Sequence, residues 1–599
     1  MIDYDIMARH KTYDMNGQIF FNLTPFKGFT WHTKMAGRLS DDKLHDWSGE
    51  KVPLYNYHSK EFSRNMDLGG GFIPGLQVED DQNLYLNFYT YMEYVFQLKE
   101  DHNFKLMLGY NQEKNERNVI WAKRRDYQFV LPELDAGSNE NMENSGYKEE
   151  WAIRSGFFRL NYDYKGKYMV EVNTRLDGTS RIASESRWGW FPSFSLGYRL
   201  TEEDFIKNLN WNWLSNLKIR GSWGQLGNQN IGLYPYQAIV YLTDSYPFDN
   251  ATLTQGVAQK KYINRDLKWE TTTITDVGLE ISLFNRLNLT VDWYKKQTTD
   301  ILRTAQLSNF VGLEAPYVND GEMQNTGIEI AVNWNDYVKS GAMEGLQYNL
   351  GFYIDRYRNE LTHFGADEIK SFSILREGIP YNSYYMFEAI GIFADQAEID
   401  AAPKQFSDNT RPGDIRYRDV DNNGIIDYND RVVMGGRFPK FEYSFNAGLS
   451  WKGFDLSLMF QGVEGKYTYV GASAGVVPFA SYCGIPKDYL DGMWTEDNPE
   501  NAINPRLYYD MGGTRNTRAS SYYLRNASYL RLKNLMLGYT FPSEWTKKFA
   551  VNRLKVFFSG DNLLTFTPYK GLDPENDRDG SFLAYPQNRI LSLGVNVEF

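Results

Sequence analysis

From residue 158 the chain alternates in steps of two. Phe158, Leu160, Tyr162 and Tyr164 are apolar or aromatic, and Arg159, Asn161 and Asp163 between them are polar. After Lys165-Gly166-Lys167 the alternation resumes, with Tyr168, Val170, Val172 and Leu176 set against Glu171, Asn173 and Arg175. Successive side chains of a strand point to opposite faces, so this reads as a hairpin with one apolar and one polar face, closed by a short glycine-centred turn. The design recurs over residues 279–291, with Phe284-Asn285-Arg286 as the turn, and again where Leu449-Ser450-Trp451 leads through Lys452-Gly453 into Phe454, Leu456 and Leu458. At the end of the chain Leu591, Leu593, Val595, Val597 and Phe599 alternate with Ser592, Gly594, Asn596 and Glu598.

The same reading over the whole chain predicts about eighteen strands and no sustained helical period. Short turns alternate with long connections at about 43–82, 119–155, 226–266, 302–320, 365–440 and 466–520. Short turns at one end and long loops at the other are the pattern of an up-and-down barrel that crosses a membrane. The predicted fold is therefore all-β, a transmembrane antiparallel β-barrel. Trp188, Trp190, Phe191 and Tyr198, near strand ends, are candidates for its interfacial aromatic girdles. A propeller would repeat at a fixed period of roughly 40–50 residues, and no such period is found.

Composition supports strands that are apolar on one face only. Aromatic residues make up 16% of the 599, with 44 tyrosines, while hydrophobic residues overall reach only 42%. Sixty-four basic against 76 acidic residues leave a net charge of −12, which argues against a nucleic-acid partner, since phosphate backbones need a clustered basic face. No segment approaches the roughly 18 apolar residues of a membrane-spanning helix, a test that β-barrels escape. The single cysteine, Cys483, cannot form an internal disulfide, and it suits an oxidising envelope compartment. The six histidines (His10, His32, His45, His58, His102, His363) show no zinc-binding spacing. Residues 1–5 lack the features of a signal peptide, so the expectation is either a cytosolic protein or a sequence that is part of a longer product.

Several segments, in order, make the chain recognisable: Arg175-Leu176-Asp177-Gly178-Thr179-Ser180-Arg181, Arg187-Trp188-Gly189-Trp190-Phe191-Pro192-Ser193, Leu217 to Gln225 with Gly227-Asn228-Gln229, and Leu267-Lys268-Trp269-Glu270. Further on come Asp292-Trp293-Tyr294-Lys295-Lys296 with Thr299-Asp300, Asn325-Thr326-Gly327-Ile328-Glu329, Arg411 to Tyr417, Tyr529-Leu530-Arg531-Leu532-Lys533-Asn534 and Asp561 to Phe566. Together they resemble the barrel of the SusC-like TonB-dependent transporters of Bacteroidetes outer membranes, from about residue 17 to the end. The resemblance implies a barrel of 22 strands around an N-terminal plug, preceded by a small domain, a TonB box and a signal peptide. These parts are not visible here, so residues 1–599 read as the C-terminal barrel portion, about 18 of the 22 strands, with long extracellular loops.

The sharpest local motif is Asp419-Val420-Asp421-Asn422-Asn423-Gly424-Ile425-Ile426-Asp427-Tyr428-Asn429-Asp430. It fits a calcium loop, with side-chain oxygens at Asp419, Asp421, Asn423, Asp427 and Asp430, the Ile425 carbonyl, and Gly424 at the sharp turn. Aspartate at the last position, shorter than glutamate, predicts weaker calcium binding or tolerance of magnesium, in a structural role. An Asx-rich turn without any ion is the alternative. The long loops are rich in aromatics (Tyr234, Tyr236, Tyr241, Tyr381, Tyr384, Tyr385, Tyr482, Tyr489 and Trp494) whose faces can stack on sugars, or on one another.

No enzyme is predicted. Acidic runs such as Glu79-Asp80-Asp81 and Glu202-Glu203-Asp204 read as solvated loops, Gly69-Gly70-Gly71 lacks the Lys-Ser/Thr of a phosphate loop, and Cys483 has no evident histidine partner. The resemblance implies a multi-pass protein of the bacterial outer membrane that imports oligosaccharides or peptides, with a SusD-like lipoprotein over its mouth. TonB–ExbB–ExbD would energise it through the missing N-terminal region. The competing reading is a calcium-dependent glycan-binding surface β-protein without transport.

Overall fold

The computed structural model describes residues 7–47, 54–56, 61–63, 75–129, 131–140, 142–247, 253–406, 409–471, 487–508, 516–575 and 585–599. One antiparallel sheet dominates, and it contains 17 strands against the about eighteen predicted. They are Met7–Leu23 (β1), Phe29–Trp47 (β2), Gly75–Leu98 (β3), His102–Arg125 (β4), Glu143–Tyr164 (β5), Tyr168–Thr179 (β6), Trp188–Arg199 (β7), Leu214–Asn228 (β8) and Glu270–Leu283 (β9). Leu287–Thr299 (β10), Glu322–Tyr337 (β11), Gln347–His363 (β12), Phe441–Trp451 (β13), Phe454–Glu464 (β14), Tyr529–Thr540 (β15), Arg553–Phe566 (β16) and Ile590–Glu598 (β17) complete it. Each strand pairs with the next, an up-and-down meander, and the outer edges of β1 and β17 have no partner among the described residues. No helix of the described residues is long and apolar enough to cross a membrane.

The predicted hairpins hold to the residue. Tyr164 pairs with Tyr168, Leu283 with Leu287 and Trp451 with Phe454. The first two have three-residue connections whose first two residues are at positive φ, Lys165-Gly166 at 54° and 65° and Phe284-Asn285 at 56° and 55°, matching the twist of the flanking strands. At Lys452-Gly453 a side chain is excluded outright: a Cβ on Gly453 would lie 2.5 Å from the Thr540 carbonyl oxygen.

Some boundaries differ from the sequence reading. The connections expected at 43–82 and 119–155 shrink to 48–74 and 126–142, because β3 and β4 each run 24 residues. Glu79-Asp80-Asp81 lies inside β3 rather than in a loop, and Arg117 of β4 holds Asp81 at 2.7 Å. Cross-strand ion pairing lets a polar segment extend as a strand. Phe191 leaves the proposed girdle. It is 8% exposed and packs edge-on against Trp269, whereas Trp188 and Trp190 on the other face are 54% and 65% exposed.

The two faces of the sheet differ in chemistry. One carries an exposed apolar band: Leu196 is 57% exposed, Val277 49%, Phe352 40%, Leu537 48% and Leu593 84%. The other carries ion pairs. Arg220 reaches Asp276 at 2.6 Å, Asp292 at 2.5 Å and Glu280 at 3.1 Å, and Lys105 meets Glu93 and Lys555 meets Asp455, each at 2.8 Å. In the same polar row Asp292 stands opposite Glu329, Glu329 opposite Asp355, and Asp355 opposite Glu442. Apolar outside and charged inside is the polarity of a membrane barrel, the reverse of a soluble sheet folded on its apolar face.

Candidate functional site

The loops at the long-connection end pack into a small domain of their own. Ser373–Leu375, Ser383–Phe387 and Arg431–Val433 pair within one short sheet. Beneath them Tyr384, Met386, Tyr469, Val470, Tyr489 and Tyr523 form a buried cluster that joins segments from two loops. Burial pushes the Tyr469 and Tyr522 hydroxyls up to about 12, and raises those of Tyr489 and Tyr523 as well.

This packing buries four of the nine aromatic candidates, Tyr384, Tyr385, Tyr489 and Trp494. Tyr384 is 1% exposed and donates its hydroxyl to the Tyr467 carbonyl at 3.0 Å. Tyr385 is buried under the guanidinium groups of Arg376 and Arg431, 5.6 and 4.8 Å from its ring centre. Trp494 is buried too, its Nε1 donating to the Ala394 carbonyl at 3.1 Å while Arg506 covers its face at 5.1 Å. These rings build the loops and present no open face to a sugar. Tyr234 and Tyr236 are only half-buried and belong to a different loop, where Tyr236 donates to the Ser180 carbonyl at 3.3 Å. Tyr482 and Cys483 lie outside the described residues.

Asp414 is the polar centre of the assembly, and sequence reasoning missed it. It is 3% exposed and accepts from Tyr508 Oη at 2.6 Å, Asn516 Nδ2 at 3.0 Å and the Arg411 N–H at 2.9 Å. Asn516 in turn accepts from the Ile415 N–H at 2.9 Å. Gly413 beside it has φ +91°, and a Cβ there would stand 2.8 Å from both Arg506 and Trp494. The signal was present in Arg411-Pro412-Gly413-Asp414, a turn dipeptide followed by an acid, but no spacing rule ties that acid to residues a hundred positions away.

The Asp-rich loop follows directly and is anchored at both ends. Ile426, 1% exposed, joins Phe387, Ile415 and Tyr417 in a buried group, and the Lys404 carbonyl accepts from the Ile426 N–H at 2.8 Å. Asn422 and Gly424 supply the positive φ of the bend, 57° and 85°. The structure brings the carboxylates of Asp419, Asp421 and Asp430 together, with oxygens within 4.8 Å of one another. Asp430, fully buried, accepts from the Val420 and Asp427 N–H groups, each at 2.7 Å. Asp419 accepts from Gly424 at 2.9 Å, and Asn423 turns its side-chain oxygen to the Ile425 N–H at 2.8 Å and its amide to Asp421 at 3.0 Å. Asp427 is not in the cluster. Its carboxylate caps the turn 428–430 through the Asn429 N–H at 2.7 Å. Three converging carboxylates on a bend of this shape can hold a divalent cation, and their backbone donors also make the loop a set of Asx turns.

The profile of the family described as "TonB dependent receptor-like, beta-barrel" matches residues 4–563. The chain belongs to this family. Two of its relatives are TonB-dependent receptors. Receptor P3 of Formosa agariphila is 29% identical over 535 residues, covering 83% of this chain and 51% of that protein. SusC of Bacteroides thetaiotaomicron is 26% identical over 593 residues, covering 94% of this chain and 57% of that protein. Among solved structures, the RagAB peptide transporter superposes with a TM-score of 0.79 at 25% identity, over 98% of this chain and 62% of that one. The SusC-like resemblance of the sequence motifs is thus shown, in a family of receptors rather than enzymes. The chain spans about half the length of the curated relatives it matches.

Proposed function

We propose that residues 1–599 are the wall and extracellular loops of an outer-membrane importer that takes up oligosaccharides or peptides by TonB-dependent transport. The observation that carries this reading is the meander itself, with its apolar exposed face and its ion-paired opposite face. Barrels of 22 strands enclose a plugged lumen, and displacing a plug requires work from outside the membrane, which in this reading comes from TonB–ExbB–ExbD. The likeness to SusC and to the RagAB peptide transporter supports the two substrate classes. A SusD-like lipoprotein is the proposed lid over the loops, with the half-buried Tyr234 and Tyr236 as candidate substrate contacts. Deleting the gene in its source organism tests the function. Loss of growth on one oligosaccharide or peptide mixture, restored by the gene, is expected, and unchanged uptake of every mixture overturns the proposal.

We also propose that Asp419, Asp421 and Asp430, with Asn423 and the Ile425 carbonyl, hold a structural calcium ion that magnesium can replace. Chelation is expected to speed proteolysis at residues 404–433 and calcium to reverse it. Equal cleavage with and without chelator leaves the loop as Asx turns alone.

A further inference from the structure

The apolar band on the outer face of β10, β11 and β12 ends abruptly. Leu289, Val291 and Trp293 on β10 give way to Lys295, Ile330 and Ile328 on β11 to Thr326, and Phe352 and Ile354 on β12 to Arg356 and Arg358. Strand register aligns these boundaries. Trp293 stands opposite Ile328 and Ile328 opposite Arg356, and in the next row Lys295, Thr326 and Arg358 are aligned likewise. Pairing between β12 and β13 stops at Asp355 and Glu442 because β13 begins at Phe441, whereas β12 runs on to His363, which leaves a gap beside it. The gap is a cleft of about 710 Å³ lined by Trp293, Ile328, Arg356, Arg358, Lys440 and Phe441 among others.

Three cations, Arg356 and Lys440 in this cleft and Lys295 beside it, lack partners among the described residues. The side chains of Lys295, Arg356 and Lys440 make no ion pair, hydrogen bond or ring contact with any described residue, and Arg358, 79% exposed, meets only Glu360 at 3.1 Å. The cleft also sits at the end of the barrel where the strands enter the long loops, which is the extracellular side of such barrels. Cations on the lipid-facing surface are costly within the hydrocarbon and tolerated at the interface, where a headgroup can neutralise them. Arginine forks match phosphate geometry, and basic pockets floored by apolar side chains bind anionic lipid headgroups.

We propose that this cleft binds a phosphorylated glycolipid of the outer leaflet, its phosphate between Arg356, Arg358 and Lys440 and its acyl chains along Trp293, Ile328 and the band below. Binding there would close the gap between β12 and β13 on the lipid side. The inference rests on the outer-membrane reading, so the test must separate the two.

The natural gene product, purified in non-ionic detergent from outer membranes, is titrated with lipid A and with dephosphorylated lipid A of the same acyl chains, and native mass spectrometry counts the bound lipid. The double variant Arg356→Gln/Arg358→Gln is expected to bind lipid A about tenfold or more weakly. Lys548→Gln, which removes a charge at the opposite rim, is expected to change nothing. The dephosphorylated lipid should bind the parent as weakly as lipid A binds the double variant. Equal binding of both lipids, an unaffected double variant, or complete displacement by inorganic phosphate overturns the proposal. Should all variants fractionate with the outer membrane and still bind alike, only the lipid site falls; should the parent protein not fractionate there, both readings fall.

Discussion

At the scale of single residues, Asp414 shows how much of the loop domain hangs on one carboxylate. Its three donors come from Arg411, Tyr508 and Asn516, which belong to two different loops. Asp414→Asn keeps the shape but turns an amide N–H₂ toward at least one of those donors. A buried donor left unpaired costs about 1–3 kcal/mol. Amide exchange should rise at Ile415, Asn516 and their neighbours while the barrel strands keep their protection. Unchanged exchange at Ile415 would show that Asp414 does not join the loops. The residue-level lesson runs both ways. The bend from Asp419 to Asp430 could be read from spacing because a local loop encodes its own geometry, and three of its five carboxylate or amide positions converge while Asp427 turns away to cap residues 428–430. Tyr384, Tyr385 and Trp494 could not be placed, since an aromatic in a loop has the same local signature whether it faces a ligand or another loop.

At the scale of elements, two ion networks tie connections to strands. In the long-loop region Arg531 of β15, 3% exposed, reaches Asp573 and Glu575 at 3.0 Å each, and Lys533 reaches Glu575 at 2.6 Å. Burial pushes the Asp573 carboxyl up, but N–H groups of Glu575 and Gln587 and the Arg531 guanidinium outweigh it and hold the group below its ordinary range. Arg531→Met leaves the buried Asp573 carboxylate without its cation, a loss of about 3–5 kcal/mol, while Glu575 keeps Lys533. Proteolysis in residues 567–575 should accelerate, and adding Asp573→Asn and Glu575→Gln should slow it again. A single variant as resistant as the parent would remove the network from this role. At the opposite rim Glu203 accepts from Lys167 at 2.7 Å and from the Tyr198 and Tyr168 hydroxyls at 2.7 Å each, which lowers its carboxyl to about 2 from 4.5. A carboxyl depressed in the folded state stabilises above its unfolded pKa, and that contribution fades as pH falls through the folded one. The stability difference between parent and Glu203→Gln should therefore be constant above about pH 4.5 and vanish between there and about pH 2. A difference that persists at pH 2 would contradict the assignment. Strands were the most legible elements, because their period of two survives every sequence detail. Their ends were not: Glu79-Asp80-Asp81 looks like a loop until Arg117 is found across the ladder.

At the scale of the whole molecule, the question is which face of the sheet meets lipid, and neighbouring residues answer it. Phe352 and Tyr353 are consecutive in β12 and almost equally exposed, at 40% and 37%. A soluble sheet solvated on both faces would treat arginine at the two positions alike. In a membrane barrel they are opposites. Phe352 lies in the apolar band between Leu350 and Ile354, whereas Tyr353 lies on the ion-paired face, opposite Ala331 of β11 and one step along the strand from Asp355. Phe352→Arg should destabilise the folded barrel by about 2–4 kcal/mol if the position is near the bilayer midplane. Tyr353→Arg should cost far less, because the new guanidinium has Glu329 and Asp355, both lacking a basic partner among the described residues, to neutralise. Urea titration of the protein in lipid vesicles reads both values. Equal effects would mean that the exposed apolar face does not face lipid, and the barrel would then need another partner to cover it. A large asymmetry in the stated direction would fix the polarity of the wall, with the acidic row from Asp292 to Glu442 facing whatever passes through or fills the lumen.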